Sequence, residues 1–268
     1  MPETFETIRL EFDAGVAHVT LNRPDARNAM SMTMVDELMA ALERAGEAGA
    51  RAVVLRGAGG HFCSGGDLKD MGAAQAAEAD HVDDPVARVN ARFGHLCAAY
   101  AGTGLPVIAV LEGVVMGGGF GLACVADVAL ARETAVFRLP ETSLGLVPAQ
   151  IAPFLVERLG YSEAKRLAVT GGKIDAATAH RLGLVHACCD GEEAMEAALA
   201  QTLADIRRGA PGAIAATKAL IRRARFEPAG DLVDDAASVF AQSARGAEGA
   251  EGLTAFLEKR PPAWAAEE

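Results

Sequence analysis

The sequence predicts an α/β core followed by a helical C-terminal region, and three observations carry that expectation. Short strand-like runs alternate with segments of helical apolar spacing as far as about Gln150. Beyond it the pattern turns almost wholly helical, punctuated by glycine and proline. The 268 residues are 51% hydrophobic and 23% charged, enough for a substantial buried core and too apolar for disorder. No linker separates two independent bodies, so the division drawn is a core over residues 1-200 and a helical region over residues 201-268.

Taken in order, Thr7–Phe12 and Val16–Asn22 read as two strands joined by the turn signal Asp13-Ala14-Gly15. Ser31 is the expected N-cap of a helix whose apolar residues are Met34, Val35, Leu38, Met39 and Leu42. Arg51–Gly57 is a short buried strand. Ala73–Pro85, rich in Ala and Asp with little apolar periodicity, reads as a mobile surface loop. Ala87–Ala101 is the next helix and Pro106–Leu111 the next buried strand. A short helix follows Gly117, and then the strand Val128–Ala131. Helical segments are expected near 150–170, 175–182, 191–208, 211–224, 228–244 and 246–259.

A formal net charge of −11 argues against nucleic acid as a partner, because phosphate binding needs a basic face. The five cysteines, Cys63, Cys97, Cys124, Cys188 and Cys189, form no C-x-x-C pair, and their number is odd. That points away from a disulfide framework or zinc site and toward a reducing compartment. No signal peptide is visible in Met1–Asp13, and the apolar run Val107–Val115 is broken by Glu112. The expected location is the cytoplasm, with no membrane partner.

Two segments place glycines between a buried strand and a helix. One is His61-Phe62-Cys63-Ser64-Gly65-Gly66-Asp67-Leu68-Lys69, and the other runs from Glu112 through Gly117-Gly118-Gly119 to Gly121. A strand that stops in glycines before a helix leaves backbone N–H groups unpaired, and the absent Cβ lets a ligand approach them. Two such turns on neighbouring strands could converge on one oxygen as an oxyanion hole; either alone could be no more than a tight turn. A dinucleotide or P-loop site is not indicated, since no G-x-G-x-x-G opens the first strand–helix unit and no Walker lysine follows. His61, His95 and His186 lack metal-ligand spacing and read as structural or surface groups. Asp127 reads as a brace at a helix–strand junction, and no metal site is expected.

Leu21-Asn22-Arg23-Pro24 with Asn28-Ala29-Met30, Phe62–Met71, Met116–Gly121 and Pro140–Leu146 resemble successive signatures of the enoyl-CoA hydratase/isomerase (crotonase) family, in its order and spacing. The similarity runs on through Leu167–Val185 to Thr254–Arg260. It implies a crotonase-like spiral of ββα repeats with a helical C-terminal region that forms a homotrimer or a dimer of trimers. It also implies an acyl-CoA substrate, with coenzyme A entering as part of that substrate and no permanently bound cofactor. By position the N–H groups of Gly66 and Gly118 would form the oxyanion hole, and Glu141 would be the catalytic acid–base. The backbone around Ala26 and Ser64 would meet the adenine. Arg27, Lys69, Lys259 and Arg260 are the cations available to the CoA phosphates. Leu68 and Phe256 fall at CoA-contacting positions, and Asp67 reads as a buttress of its own turn.

One departure stands out. The family's hydratases carry a second glutamate where this chain has Gly121. A lone glutamate suits migration of a 3-enoyl double bond to the 2-position. Against that, Pro140–Leu155 (PETSLGLVPAQIAPFL) resembles the version in isohexenylglutaconyl-CoA hydratases, which act on a branched acyl chain bearing its own carboxylate. The expected function is therefore hydration of the 2,3 double bond of a branched enoyl-CoA. A 3-enoyl to 2-enoyl isomerase is the alternative, and a non-catalytic acyl-CoA- or RNA-binding member is the second alternative.

Overall fold

A computed structural model describes residues 4–77 and 84–265. Strands β1 (Ile8–Asp13) and β2 (Val16–Leu21) form an antiparallel hairpin. Its turn places Ala14 at φ 45° and Gly15 at φ 73°, the left-handed pair that matches strand twist in a two-residue hairpin loop. The other strands of the large sheet are β3 (Ala52–Gly57), β4 (Val107–Leu111), β6 (Val128–Arg132) and β9 (Ala187–Cys189). The sheet order is β1-β2-β3-β4-β6-β9, parallel from β2 onward. A smaller sheet contains β5 (Val114–Met116), β7 (Val136–Arg138) and β8 (Lys173–Asp175). Isolated bridges Cys63↔Val115 and Met30↔Gly66 extend it sideways.

The topology is a spiral in which each turn gives one strand to the large sheet, a short extended segment to the small one, and then a helix. β2, Met30 and α1 (Met32–Glu47) make the first turn. β3 and Cys63–Gly66 make the second, with α2 (Leu68–Ala76) and α3 (Pro85–Gly102). β4, β5 and α4 (Gly118–Val125) make the third; β6, β7 and α5 (Ala152–Thr170) the fourth, and the short helix α6 (Ala176–Arg181) follows β8. Ser31 caps α1 by accepting the Met34 N–H at 3.2 Å, and the helix buries Met34, Val35, Leu38, Ala41 and Ala45. Strand residues alternate between two cores. Val53, Leu55, Val107, Ala109 and Leu111 face the space between sheets and helices. Ala52, Val54, Ile108, Val110 and Leu130 face Met195 and Leu199 of α7 (Gly191–Arg208).

Three expectations change. The Ala73–Pro85 loop is helical at its start, since α2 runs to Ala76, and Asp84 caps α3 at Pro85 by accepting the Val86 N–H. High alanine content and the Asp67 cap sustain α2 with little apolar periodicity. The remainder of that loop, 78–83, lies outside the described residues. The C-terminal third also holds β8 and β9, three-residue strands too short to show a period of two, whose pairing is tertiary. Position 200 falls inside α7, which packs as a whole on the large sheet, so the helical region proper starts at α8 (Pro211–Ala224). It continues with α9 (Val233–Arg245) and α10 (Ala247–Glu258).

Candidate active site

Gly66, Gly118 and Glu141 come from successive turns of the spiral and occupy the same place in each, after the short strand and before the helix. Parallel stacking of the turns therefore puts them side by side. Met30 N–H donates to the Gly65 carbonyl at 2.8 Å, and Asp67 N–H donates to the Met30 carbonyl at 2.9 Å. In that bridge the amide of Gly66 itself faces the opposite side, toward the next turn. Cys63 N–H donates to Val114 O at 3.0 Å and Met116 N–H to Cys63 O at 2.9 Å, which fastens the second and third turns together. Gly118 opens α4, so its N–H is one of the first-turn donors with no intrahelical acceptor.

The close approach requires glycine. Gly65 has φ 107° and Gly117 φ 49°, and a Cβ on Gly117 would stand 3.3 Å from the Gly65 Cα. The same Cβ would stand 3.1 Å from Glu141 Oε1, so the carboxylate lies against the junction of the two glycine turns. Glu141 begins a 3-10 turn, Glu141–Leu144, that ends at Gly145 in the left-handed conformation. Its Oε2 is buried with no hydrogen-bond partner, the one carboxylate oxygen in that condition among the described residues. Burial pushes its pKa above the usual carboxylate range, with only its own backbone opposing. Of the apolar residues near it in sequence, Phe137 and Leu139 are buried and Leu144 is 60% exposed. An unpaired acid with a raised pKa, facing glycine turns, is equipped to give and take protons.

The position expected for a second acid is closed. Gly121 is buried in α4, and a Cβ there would lie 2.3 Å from Ile151 Cγ2 and 3.3 Å from Phe93 Cζ.

Around this centre the structure gathers most of the sequence candidates. Ser64 N–H donates to the Arg27 carbonyl at 3.0 Å and its hydroxyl donates to the Ala26 carbonyl at 3.2 Å, so Ala26, Arg27 and Ser64 form one exposed lip. Leu68, 72% exposed, and Lys69 continue it along α2. Asp67 is a fixture of the turn: it accepts the Lys69 N–H at 2.9 Å and pairs with Arg23 at 2.8 Å. Burial alone would raise its pKa, but the Lys69 amide and the Arg23 guanidinium outweigh it and hold the carboxyl below the usual range.

Phe256 and Lys259 are not brought to this centre. α10 packs on α9 and is tied to α8 by Glu248, which accepts the Gly212 and Ala213 amides. Lys259 ends α10 in the left-handed conformation, before the prolines are reached, and Arg260 is engaged by Glu251 at 2.7 Å and Glu258 at 2.7 Å.

Sequence reasoning missed four contributors. Asn28, fully buried, donates from Nδ2 to the carbonyls of Ala58 and His61 and accepts the Arg23 amide, clamping the lip to the second turn. Arg23 holds Asp67; Phe93 and Ile151 fill the space beside Gly121. Asn28, Arg23 and Ile151 stand inside segments that carry the resemblance and Phe93 does not, but the partner of each is set by tertiary packing and leaves no local signal. His61 and His186 each accept a backbone amide, from Val114 and Ala129, and Asp127 accepts the Val107 amide while pairing with Lys218. No cluster of three acids, histidines or cysteines suited to a metal occurs among the described residues.

A family model described as enoyl-CoA hydratase/isomerase matches residues 11–267. The chain belongs to the enoyl-CoA hydratase/isomerase family. A probable enoyl-CoA hydratase of Rhodobacter capsulatus is 36% identical over 97% of this chain and 98% of its own length. Among solved structures, an enoyl-CoA hydratase/isomerase from Marinobacter aquaeolei is 50% identical, covering 97% of this chain and 99% of that one, with a TM-score of 0.94. Pseudomonas aeruginosa AtuE is 51% identical over 97% and 100% of the two chains, also with a TM-score of 0.94. The fold is thus the family's spiral with a helical C-terminal region, and the family acts on acyl-CoA substrates. No helix among the described residues is long and apolar enough to cross a membrane.

Proposed function

We propose that the chain hydrates the 2,3 double bond of a branched enoyl-CoA, with Gly66 and Gly118 amides holding the thioester oxygen and Glu141 moving the proton. The observation that carries this reading is the Glu141 carboxylate, whose Oε2 is buried without a partner and whose Oε1 lies against the junction of the two glycine turns. Water oxygen bonds to C3 while its proton passes to the Glu141 carboxylate, and the π electrons move to the thioester as an enolate. Glu141 then returns the proton to C2 and the enolate collapses, so H and OH have been added and the carboxylate is restored. Each amide donor aimed at the developing oxyanion is worth about 2.7–4 kcal/mol of transition-state stabilisation. The α4 N-terminus adds a favourable dipole at the same point.

With one carboxylate, a second group must help to hold the water. The Pro140–Leu155 segment supports a branched acyl chain whose own carboxylate does so. The closed space at Gly121 favours a second reading, in which Glu141 alone takes a proton from C2 of a 3-enoyl thioester and returns it to C4. An unsatisfied buried acid is costly to keep in a protein that only binds, which argues against the non-catalytic alternative.

Exposed Phe226, Phe240 and Phe256 in the helical region support a homotrimer or a dimer of trimers. In such an assembly Phe256 and Lys259 would reach a neighbour's CoA. All five cysteines are free thiols, which fits the cytoplasm or another reducing compartment.

The test follows the ultraviolet absorbance of the conjugated thioester. Hydration of a 2-enoyl-CoA makes the band fade, and migration from a 3-enoyl-CoA makes it grow. Growth without fading would replace the first reading by the second, and no change with either class would overturn both.

A further inference from the structure

The filling beside Gly121 is a built assembly. Ile151, 3% exposed, presses its Cγ2 into the space over Gly121, and the Phe93 ring lies over both Gly121 and Gly118. A Cβ on Gly118 would be 3.2 Å from Phe93 Cζ, so this ring borders the amide that faces the thioester oxygen. Ile151 is set in place through its neighbour. Gln150 Nε2 donates to Asn90 Oδ1 at 2.8 Å, and its side chain rests on Gly94, where a Cβ would lie 2.2 Å from Gln150 Oε1. Two glycines, Gly94 on α3 and Gly121 on α4, thus act as sockets for the consecutive side chains Gln150 and Ile151. Asn90, Phe93 and Gly94 are spaced i, i+3 and i+4, which puts them on one face of α3.

We propose that Phe93 and Ile151 are specificity-determining residues: they form a hydrocarbon wall in the place of a second acid, against which the substituent on C3 of the acyl chain packs. Gln150 is a positioning residue that acts through Ile151. The wall excludes an ionised group from that side of the reacting carbons and sets the size of alkyl branch that fits. The proposal rests on the acyl-CoA reading of the site.

The test is calorimetric binding of two saturated, unreactive thioesters, butanoyl-CoA and 3-methylpentanoyl-CoA, with free CoA as reference. Saturated chains make the result independent of which reaction the enzyme performs. Ile151→Ala should shift the ratio of the two affinities toward the branched chain by about tenfold, the usual effect of one or two methylenes in a fitted pocket. Ile151→Phe should shift it the other way, and Gln150→Leu should move it in the same sense as Ile151→Ala but less. Ile151→Val, the mildest change, serves if Ile151→Ala does not fold. Independently, Gly121→Ala should lower the melting temperature, and Ile151→Ala in the same chain should recover most of the loss. An affinity ratio unchanged across the Ile151 variants, with both thioesters still bound, would overturn the wall assignment and leave the site reading standing. A folded wild type that binds CoA and both thioesters equally would overturn the acyl reading itself, and the wall with it.

Discussion

Replacing Glu141 by glutamine tests chemistry and energetics together. The side chain keeps its shape and loses its charge. Glu141 Oε2 is buried without a partner, and leaving such a group unsatisfied costs about 1–3 kcal/mol, more when it is charged. Glutamine still presents an unpaired amide, so only the charged part of the cost is relieved, about 1 kcal/mol. For a chain of this size that corresponds to a rise of about 2–4 °C in melting temperature. The sign of the pH dependence follows from the raised pKa. Between the ordinary glutamate value of 4.5 and its higher folded value, the folded state holds a proton that the unfolded state has lost. Wild-type stability therefore falls as pH rises through that window, and the advantage of Glu141→Gln appears above it and vanishes below. Turnover should fall by about 10²–10⁴ because the proton carrier is gone. Thermal melts at neutral and acidic pH, with thioester absorbance assays on the same samples, read both effects. A variant less stable than wild type at neutral pH, or one with near-wild-type turnover, would refute the argument.

Other outcomes follow from the same geometry. If the Glu141 carboxylate acts as the base, the wild-type rate should drop on acidification through a pKa above the usual carboxylate range, as a pH–rate profile would show. Asn28→Ala leaves the Ala58 and His61 carbonyls and the Arg23 amide without their partner and puts alanine at φ 55°, so unfolding in denaturant should reveal a loss of about 3–5 kcal/mol. Asp67→Ala removes the α2 cap and the Arg23 ion pair at once. It should cost about 1–3 kcal/mol by the same measurement, and raise KM more than it lowers kcat, because the CoA lip loosens while Glu141 stays in place. Thiol labelling of the folded protein at mildly alkaline pH should modify Cys188 alone, because Cys63 and Cys124 are buried with thiols pushed up to about 11 and about 12, and Cys97 and Cys189 are buried too.

The sequence reveals those parts of the fold whose causes are local. The Asp13-Ala14-Gly15 turn, the Ser31 cap and the β-branched runs of β3 and β4 each carry their own signal, and the structure places them within a residue or two of where that signal puts them. The short strands β5, β7, β8 and β9 have three residues each and owe their existence to neighbours already in place, which no window of sequence contains. The site divides along the same line. Gly66, Gly118 and Glu141 are picked out by the resemblance to the family's signatures, and the spiral explains why they lie side by side. Gly121 stands out only as an absence; that Ile151 and Phe93 occupy the space follows from α3 and the start of α5 folding over α4, each separated from Gly121 by roughly the length of a strand–helix unit. Phe256 and Lys259 show the converse, since they match CoA-contacting positions of the family while in this chain they lie at the end of α10, which packs on α9.

The most direct measurement is the crystal structure of the protein with a saturated acyl-CoA bound. The account predicts the thioester oxygen within about 2.7–3.1 Å of both the Gly66 and the Gly118 nitrogen, with the Glu141 carboxylate beside C2 and C3. A thioester oxygen held by other groups, or Glu141 facing away from those carbons, would contradict it.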